Sequence, residues 1–403
     1  MTSIRRRADP WLFAVEDTTV QLTWSVGGLA AGTLRVGDRH IDVPAAPGPN
    51  SLILTGLEPG QVVRGVGGSL GRRIHAHTLP SPPGRELFRF ATLSDLHIGE
   101  RTFGYRSTIV EDPAPEQFHP ERSTRAALAE LTAWGAQALV LKGDITHSGK
   151  AYQWDRFAAA INGFELPLVM IPGNHDADES YPEPKKRKGA ATATTDREPP
   201  ISVEEARRRL GLGPVGPVQV LDVPGLRILA VDTTVADLGE GQVSHVTDET
   251  ADRAGEVDTP VFVALHHQLL RLPMNHHLPL GVPAAQARHF LSRLQAANPA
   301  AFVTSGHTHR HRRRHHGSIV ITEVGSPKDY PGTWAGYVVH EGGIRQVVRR
   351  IGTPDILTWT DRTADAALGA WGRWSPGTLD ARCFTHVWPS RGAGRAPDPA
   401  RLD

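Results

Sequence analysis

Five short polar clusters carry most of the chemistry-capable side chains: Asp95-Leu96-His97, Gly143-Asp144, Gly173-Asn174-His175-Asp176, His266-His267 and Gly306-His307-Thr308-His309. Each sits at the end of an apolar run: ELFRFATLS, AQALVLKG, LPLVMIPG, PVFVALHH or AAFVTSGH. Carboxylate, imidazole and carboxamide donors without thiolates suit borderline or hard divalent ions such as manganese, iron, zinc or nickel. The single cysteine, Cys383, excludes an internal disulfide and any thiolate-rich metal site. Alone, an Asp-x-His pair or a Gly-Asn-His-Asp turn has an ordinary structural reading. Five clusters in this order, each closing an apolar run, are far harder to obtain by chance.

The elements that must position these clusters follow from the periodicity. From residue 86 onward, apolar strand candidates alternate with helix candidates. ERSTRAALAELTAWG, KAYQWDRFAAAING and PAAQARHFLSRLQAAN repeat apolar residues at helical spacing, and Ser202 with Glu205 forms a capping box opening SVEEARRRL. VQVLDV, LRILAVDTT and SIVITEVG add strands. Such alternation predicts a layered α/β architecture with a largely parallel buried sheet, or two packed sheets. In open α/β sheets the carboxyl ends of strands converge on one crevice, so the five clusters are expected to meet there. Gly143, Gly173 and Gly306 precede candidate ligands where a strand must turn sharply, and Pro172 stiffens one of those turns.

Residues 11–79 read differently. TTVQLTWSV, GTLRVGDRHIDVP, NSLILTGLEPGQ and GRRIHAHTL alternate β-branched and polar residues between turns, which predicts a small N-terminal all-β sandwich over 1–80. LTGLEPGQ resembles the turn of fibronectin type III modules; the alternative is an extension of the main sheet. TLPSPPG at 78–84 is the expected linker, residues 86–350 the catalytic domain, and 351–403 a C-terminal extension whose Arg/Gly/Pro-rich end, from about 391, is expected to be disordered. The polar insertion 177–200 is expected to be a mobile loop. Basic and acidic residues nearly balance, 44 against 43, so no specific nucleic-acid binding is expected. Arg5, Arg6 and Arg7 are not followed by an apolar signal core, and no window approaches a membrane span, so a cytoplasmic protein is expected. Oligomeric state is not legible.

Taken together the clusters resemble the motifs of the calcineurin-like metallophosphoesterase superfamily, Asp-x-His, Gly-Asp, Gly-Asn-His-Asp/Glu, His and Gly-His-x-His, over about residues 88–345. The resemblance implies a four-layer sandwich of two mixed sheets flanked by helices. It implies two divalent or mixed-valence ions, manganese, iron or zinc, one held by Asp95, His97 and His309, the other by Asn174, His266 and His307. Asp144 would bridge them. His266 matches the family ligand and His267 the residue behind it. His175 would lie outside the ligand shell as a general acid or phosphate contact. Asp176 would either orient that imidazole or cap the following segment. Two divalent ions offset by two carboxylates and a bridging hydroxide leave about one positive unit, attractive to an anionic phosphodiester.

Subfamily patterns narrow the expectation. Purple acid phosphatases need a tyrosine three residues after the Gly-Asp aspartate, where this chain has His147; protein serine/threonine phosphatases need Asp-Arg-Gly and a Glu after Asn-His. What remains resembles the bacterial class III cyclic-nucleotide phosphodiesterase and glycerophosphodiesterase group. The expected function is hydrolysis of a small-molecule phosphodiester, the alternatives being a phosphomonoesterase on the same centre or a catalytically silent scaffold. Two weaker signals remain. RHRRRHH (310–316) is either a steering rim or a solvated strand end, and His276 and His277 are candidates for the pocket wall.

Overall fold

The apolar runs that end in polar clusters become the central strands of two six-stranded sheets. The computed structural model describes residues 11–24, 32–36, 39–43, 49–67, 72–104, 107–111, 117–177, 199–235, 238–271 and 280–389. In the first sheet the strand order is Leu168–Ile171, Leu139–Lys142, Glu86–Leu93, Thr333–His340, Gly343–Arg350, Phe384–Val387. Its first three strands are mutually parallel, and the rest are antiparallel to their neighbours. The second sheet runs Val218–Val223, Leu226–Val231, Val261–Leu265, Ala301–Ser305, Ile319–Glu323, Arg312–His316, with a parallel centre and antiparallel edges.

The sheets meet face to face through rings. Phe90 and Tyr337 of the first contact Phe262 of the second at centroid distances of 4.8 and 4.7 Å, and all three are fully buried. The outer face of the second sheet (Leu229, Val263, Val303, Ile321) packs on Ala254, Phe290, Leu291 and Leu294 of the helices Thr247–Gly255 and Ala284–Ala297. Each of the larger side chains contributes roughly 1.5–3 kcal/mol by leaving water. The helices His119–Ala133 and Ala151–Ala160 cover the first sheet, burying Leu128, Leu131, Trp154 and Phe157. Ser202 Oγ accepts the Glu205 amide at 3.2 Å, as the capping-box pattern predicts. The expected α/β four-layer sandwich is the observed one.

Ahead of it lie the strands Trp11–Val15, Val20–Trp24, Gly32–Val36, Arg39–Val43, Asn50–Leu54, Val62–Gly67 and Arg72–His77, forming a three-stranded sheet and two hairpins. Phe13, Val15 and Trp24 join the same hydrophobic core as Phe90 and Tyr337. Polar contacts reinforce this union. Arg349 Nε donates to Glu16 Oε1 at 2.8 Å, Trp134 Nε1 to Glu16 Oε2 at 3.1 Å, and Gln21 Nε2 to the Arg350 carbonyl at 2.7 Å. After residue 350 the chain forms the helix Pro354–Thr363, two short helices and the strand Phe384–Val387. Residues 178–198, His276 and His277, and the end from 390, on which several expectations fall, lie outside the described residues. Among the described residues no helix is long and apolar enough to cross a membrane.

Candidate metal centre

All five clusters leave the carboxyl ends of strands on one rim, three from the parallel part of the first sheet and two from that of the second. Their donor atoms fall into two linked sets. In the first, His309 Nε2 lies 3.3 Å from Asp95 Oδ1 and 3.3 Å from His97 Nε2. In the second, His266 Nε2 lies 3.2 Å from Asn174 Oδ1 and 3.2 Å from His307 Nδ1. Asp144 Oδ2 joins the sets, 3.5 Å from His97 Nε2 and 3.3 Å from His266 Nε2. Ligands about 2.1 Å from a cation and about 90–110° apart lie about 3.0–3.4 Å from one another. The observed separations are therefore those of coordination-shell edges, and the donor chemistry fits divalent cations. Asp95, His97 and His309 form one potential metal triad, and Asp95, Asp144 and His266 another.

The opposite nitrogens of three imidazoles fix which atom faces the centre. His266 Nδ1 is 2.8 Å from the Lys142 carbonyl, His307 Nε2 is 3.0 Å from the Leu280 carbonyl, and His309 Nδ1 is 2.5 Å from Asp329 Oδ2. With the ring N–H given to each outer acceptor, the inner nitrogen's lone pair is the one a cation would take. Nδ1 of His97 is the exception: it is buried with no hydrogen-bond partner among the described residues.

Backbone strain is concentrated here. Among the described residues eight non-glycine residues have positive φ, and five are candidate ligands: Asp95 (58°), His97 (49°), Asp144 (51°), His307 (66°) and His309 (50°). Such conformations cost on the order of 1–3 kcal/mol each. The sheets tolerate that cost where the chain must aim a side chain back over the strand end. Gly306 is demanded by space, since an added Cβ would lie 1.8 Å from Ser94 Oγ and 2.5 Å from Asp95 Oδ2.

Electrostatics follow from burial. Burial opposes ionising Asp95 and Asp144, but neighbouring histidines outweigh it and hold both carboxyls well below the usual range. Burial likewise opposes charge on His309 and His266. The Asp329 and Asp95 carboxylates nevertheless push His309 up to about 10, and Asp144 pushes His266 up to about 9. In the metal-free centre protons thus occupy positions a cation would take. Burial, with the neighbouring His266, pushes His307 down to about 3.

Around the donors, His175 sits beside the first set, its ring 4.5 Å from that of His97. Its amide donates to Asp144 Oδ1 at 2.9 Å and its Nδ1 lies 2.8 Å from the His147 carbonyl. Asp176 differs from expectation. Its Oδ1 accepts from the Thr146 amide and hydroxyl at 2.8 and 2.7 Å, and its Oδ2 from the Ile145 and Gly173 amides, both at 3.0 Å. Four donors commit this carboxylate to bracing the Asp144 loop against the Asn174 turn, and the carbonyl of His147 takes the imidazole-orienting place. Burial and the neighbouring Asp144 push the Asp176 carboxyl up to about 6, against the opposing pull of those donors. His267 turns away to Thr233 Oγ1, 2.8 Å from its Nδ1, although its ring stays 4.7 Å from His307, and the three histidines 266, 267 and 307 form an alternative triad. His147 forms another with His97 and His175. The basic run becomes the edge strand Arg312–His316, with Arg312 buried against Glu323 at 2.7 Å. Asp329, Lys328 and Glu100 were not singled out by sequence. Asp329 lies a few residues beyond the run SIVITEVG, farther from its strand end than the five clusters are from theirs, and that weaker signal was the one available.

Comparison with known proteins gives the family. The chain is 22% identical over 186 residues to a protein of Synechococcus sp. described as a probable cyclic nucleotide phosphodiesterase, covering 46% of this chain and 62% of that one. Among solved structures it resembles a purple acid phosphatase from yellow lupin, Lupinus luteus (TM-score 0.45, 14% identity, covering 86% of this chain and 72% of that one). It also resembles a dimetal phosphatase from Danio rerio (TM-score 0.49, 12% identity, covering 66% of this chain and 97% of that one). The profile of the calcineurin-like phosphoesterase family matches residues 88–311, more than half of the 403 residues and all five clusters. The chain spans less than two thirds of that Synechococcus protein's length, and the family profile shows that it belongs to the calcineurin-like phosphoesterase family.

Proposed function

We propose that the protein hydrolyses small-molecule phosphodiesters with two divalent cations, one held by Asp95, His97 and His309, the other by Asn174, His266 and His307, with Asp144 between them. The observation that carries this reading is the position of Asp144 Oδ2, within 3.5 Å of a donor from each set. Bound there, two cations supply Lewis acidity toward the phosphoryl oxygens and an acidified water. The chain's own residues do the rest. Asp144 keeps the two halves in register, and its Oδ1 is fixed by the His175 amide. His175, oriented by the His147 carbonyl, holds a proton beside the first set and delivers it to the leaving alkoxide. Asp176 keeps the Asp144 loop and the Asn174 turn at a fixed spacing.

Two considerations favour a diester. The Synechococcus relative is described as a probable cyclic nucleotide phosphodiesterase. In addition, two buried lysines beside the strand-end clusters are committed: Lys142 Nζ to the Ser305 carbonyl at 2.8 Å, and Lys328 to Glu100 at 2.5 Å. Neither is available to neutralise the second charge of a monoester dianion. The test is turnover of bis(p-nitrophenyl) phosphate, p-nitrophenyl phosphate and cyclic AMP by the Mn²⁺-loaded protein. Preferential turnover of diesters supports the reading; hydrolysis of the monoester alone contradicts it.

A further inference from the structure

The ligand His309 is held from behind by a buried charged chain that none of the five clusters contains. Its Nδ1 is 2.5 Å from Asp329 Oδ2. Asp329 Oδ2 is in turn 3.4 Å from Lys328 Nζ, which lies 2.5 Å from Glu100 Oε2. Asp329 is 0% and Lys328 2% exposed. The three residues come from two separate segments. Glu100 follows the Asp95-His97 cluster directly, whereas Lys328 and Asp329 follow the strand Ile319–Glu323, beyond the matched family region.

Burying a carboxylate is costly unless partners satisfy it. Asp329 is only half satisfied: its Oδ1 is buried and has no hydrogen-bond partner among the described residues. Its compensation comes through Oδ2, from His309 and Lys328. A carboxylate accepting the outer N–H of a ligating imidazole fixes its tautomer and raises its basicity toward the cation. The other two imidazoles with an outer acceptor meet neutral carbonyls, of Lys142 and Leu280. The two halves of the centre are therefore electronically unequal.

We propose that Asp329, braced by Lys328 and Glu100, is a positioning residue that selectively tightens the cation site formed by Asp95, His97 and His309. This rests on the two-cation reading above. Asp329 touches neither substrate nor cation; it acts through the orientation and electron density of His309. Lys328 limits the charge left in the interior, and Glu100 ties the assembly to the loop that carries His97.

The test is a Co²⁺ titration of the metal-free full-length protein, following the number of ions bound and the visible absorption of each. Wild type and Asp329→Asn are compared, with Asp329→Ala as a second variant and thermal melting of each metal-free protein alongside. Asparagine keeps the shape and can still accept the Nδ1–H bond, but removes the charge. The expected result for Asp329→Asn is one ion bound as in wild type and one bound about 10–100-fold more weakly, with an altered spectrum for that ion alone. Wild-type affinity at both positions in Asp329→Asn and Asp329→Ala would overturn the proposal. So would equal weakening of both positions with a lowered metal-free melting temperature, the mark of a merely structural role. A wild-type protein that fails to take up two ions would remove the reading beneath the proposal as well, so the two failures are distinguishable.

Discussion

Gly173 is the position where a single added methyl group tests the geometry of the centre most sharply. Its φ is not positive, so glycine is there for space. A Cβ at 173 would lie 2.3 Å from Asp144 Oδ1 and 2.4 Å from the Asp144 amide nitrogen, where ordinary contact begins at 3.4 Å. The shortfall is about 1 Å, and only half of it can be relieved by rotating the Asp144 carboxyl, because the second atom is backbone. Relief must separate the Asn174 turn from the Asp144 loop, two segments that Asp176 clamps through the Gly173 and Thr146 amides at 3.0 and 2.8 Å. Overpacking of this kind costs about 1–3 kcal/mol of stability, and a misplacement of about 1 Å in a catalytic constellation costs roughly 10²-fold in rate. Gly173→Ala should therefore remain folded, bind cations more weakly and lose about two orders of magnitude in kcat. Gly213→Ala is the control, since a Cβ there meets nothing within 4 Å, and it should match wild type. Metal content by mass spectrometry, diester turnover and thermal melting measured together decide the matter. Wild-type cation binding and turnover in Gly173→Ala would refute the reasoning.

Other outcomes follow from the same site. His175→Ala should lower kcat by about 10²–10⁴-fold while both cations stay bound; loss of a cation on metal analysis would contradict its place outside the ligand shell. In the metal-free protein His309 and His266 are pushed up to about 10 and about 9, so both carry protons at neutral pH that a cation must displace. Affinity for Mn²⁺ should thus rise with pH, by up to about tenfold per pH unit for each displaced proton. Calorimetric titrations at about pH 6 and about pH 8 check this, and equal affinities would contradict it. Glu16→Ala leaves the buried Arg349 guanidinium without its carboxylate, which should destabilise the protein by about 3–5 kcal/mol. Denaturant unfolding reads this directly, and an unchanged midpoint would show that the N-terminal strands add little to the shared core.

The convergence of the five clusters was legible because parallel sheets impose a simple rule: polar residues at the carboxyl ends of apolar runs come together. Asp95, Asp144, Asn174, His266 and His307 each close such a run, and the rule placed them at one rim before any coordinates. What escaped the sequence has particular causes. The partners of Asp176 are backbone amides of Ile145, Thr146 and Gly173, which no residue identity announces. The strands Thr333–His340 and Gly343–Arg350 are each buried along their whole length, although GIRQVVRR carries three arginines. Its arginines are buried because Asp17, Glu16 and Asp361 meet Arg345, Arg349 and Arg350 there, partners up to 333 residues away. The strand pattern of the N-terminal region was visible in VQLTW and NSLIL, but its packing depends on those same distant arginines. Asp329 lies six positions past the strand Ile319–Glu323, in SPKD, a segment without histidine, so neither the strand-end rule nor residue type marks it.

Anomalous diffraction from crystals grown with Mn²⁺ addresses the central claim most directly. Two peaks about 3.5–4 Å apart are predicted, with the Asp144 carboxylate between them, Asp95, His97 and His309 around one, and Asn174, His266 and His307 around the other. A single peak, or density elsewhere with these side chains still in contact only with one another, would contradict the dinuclear account.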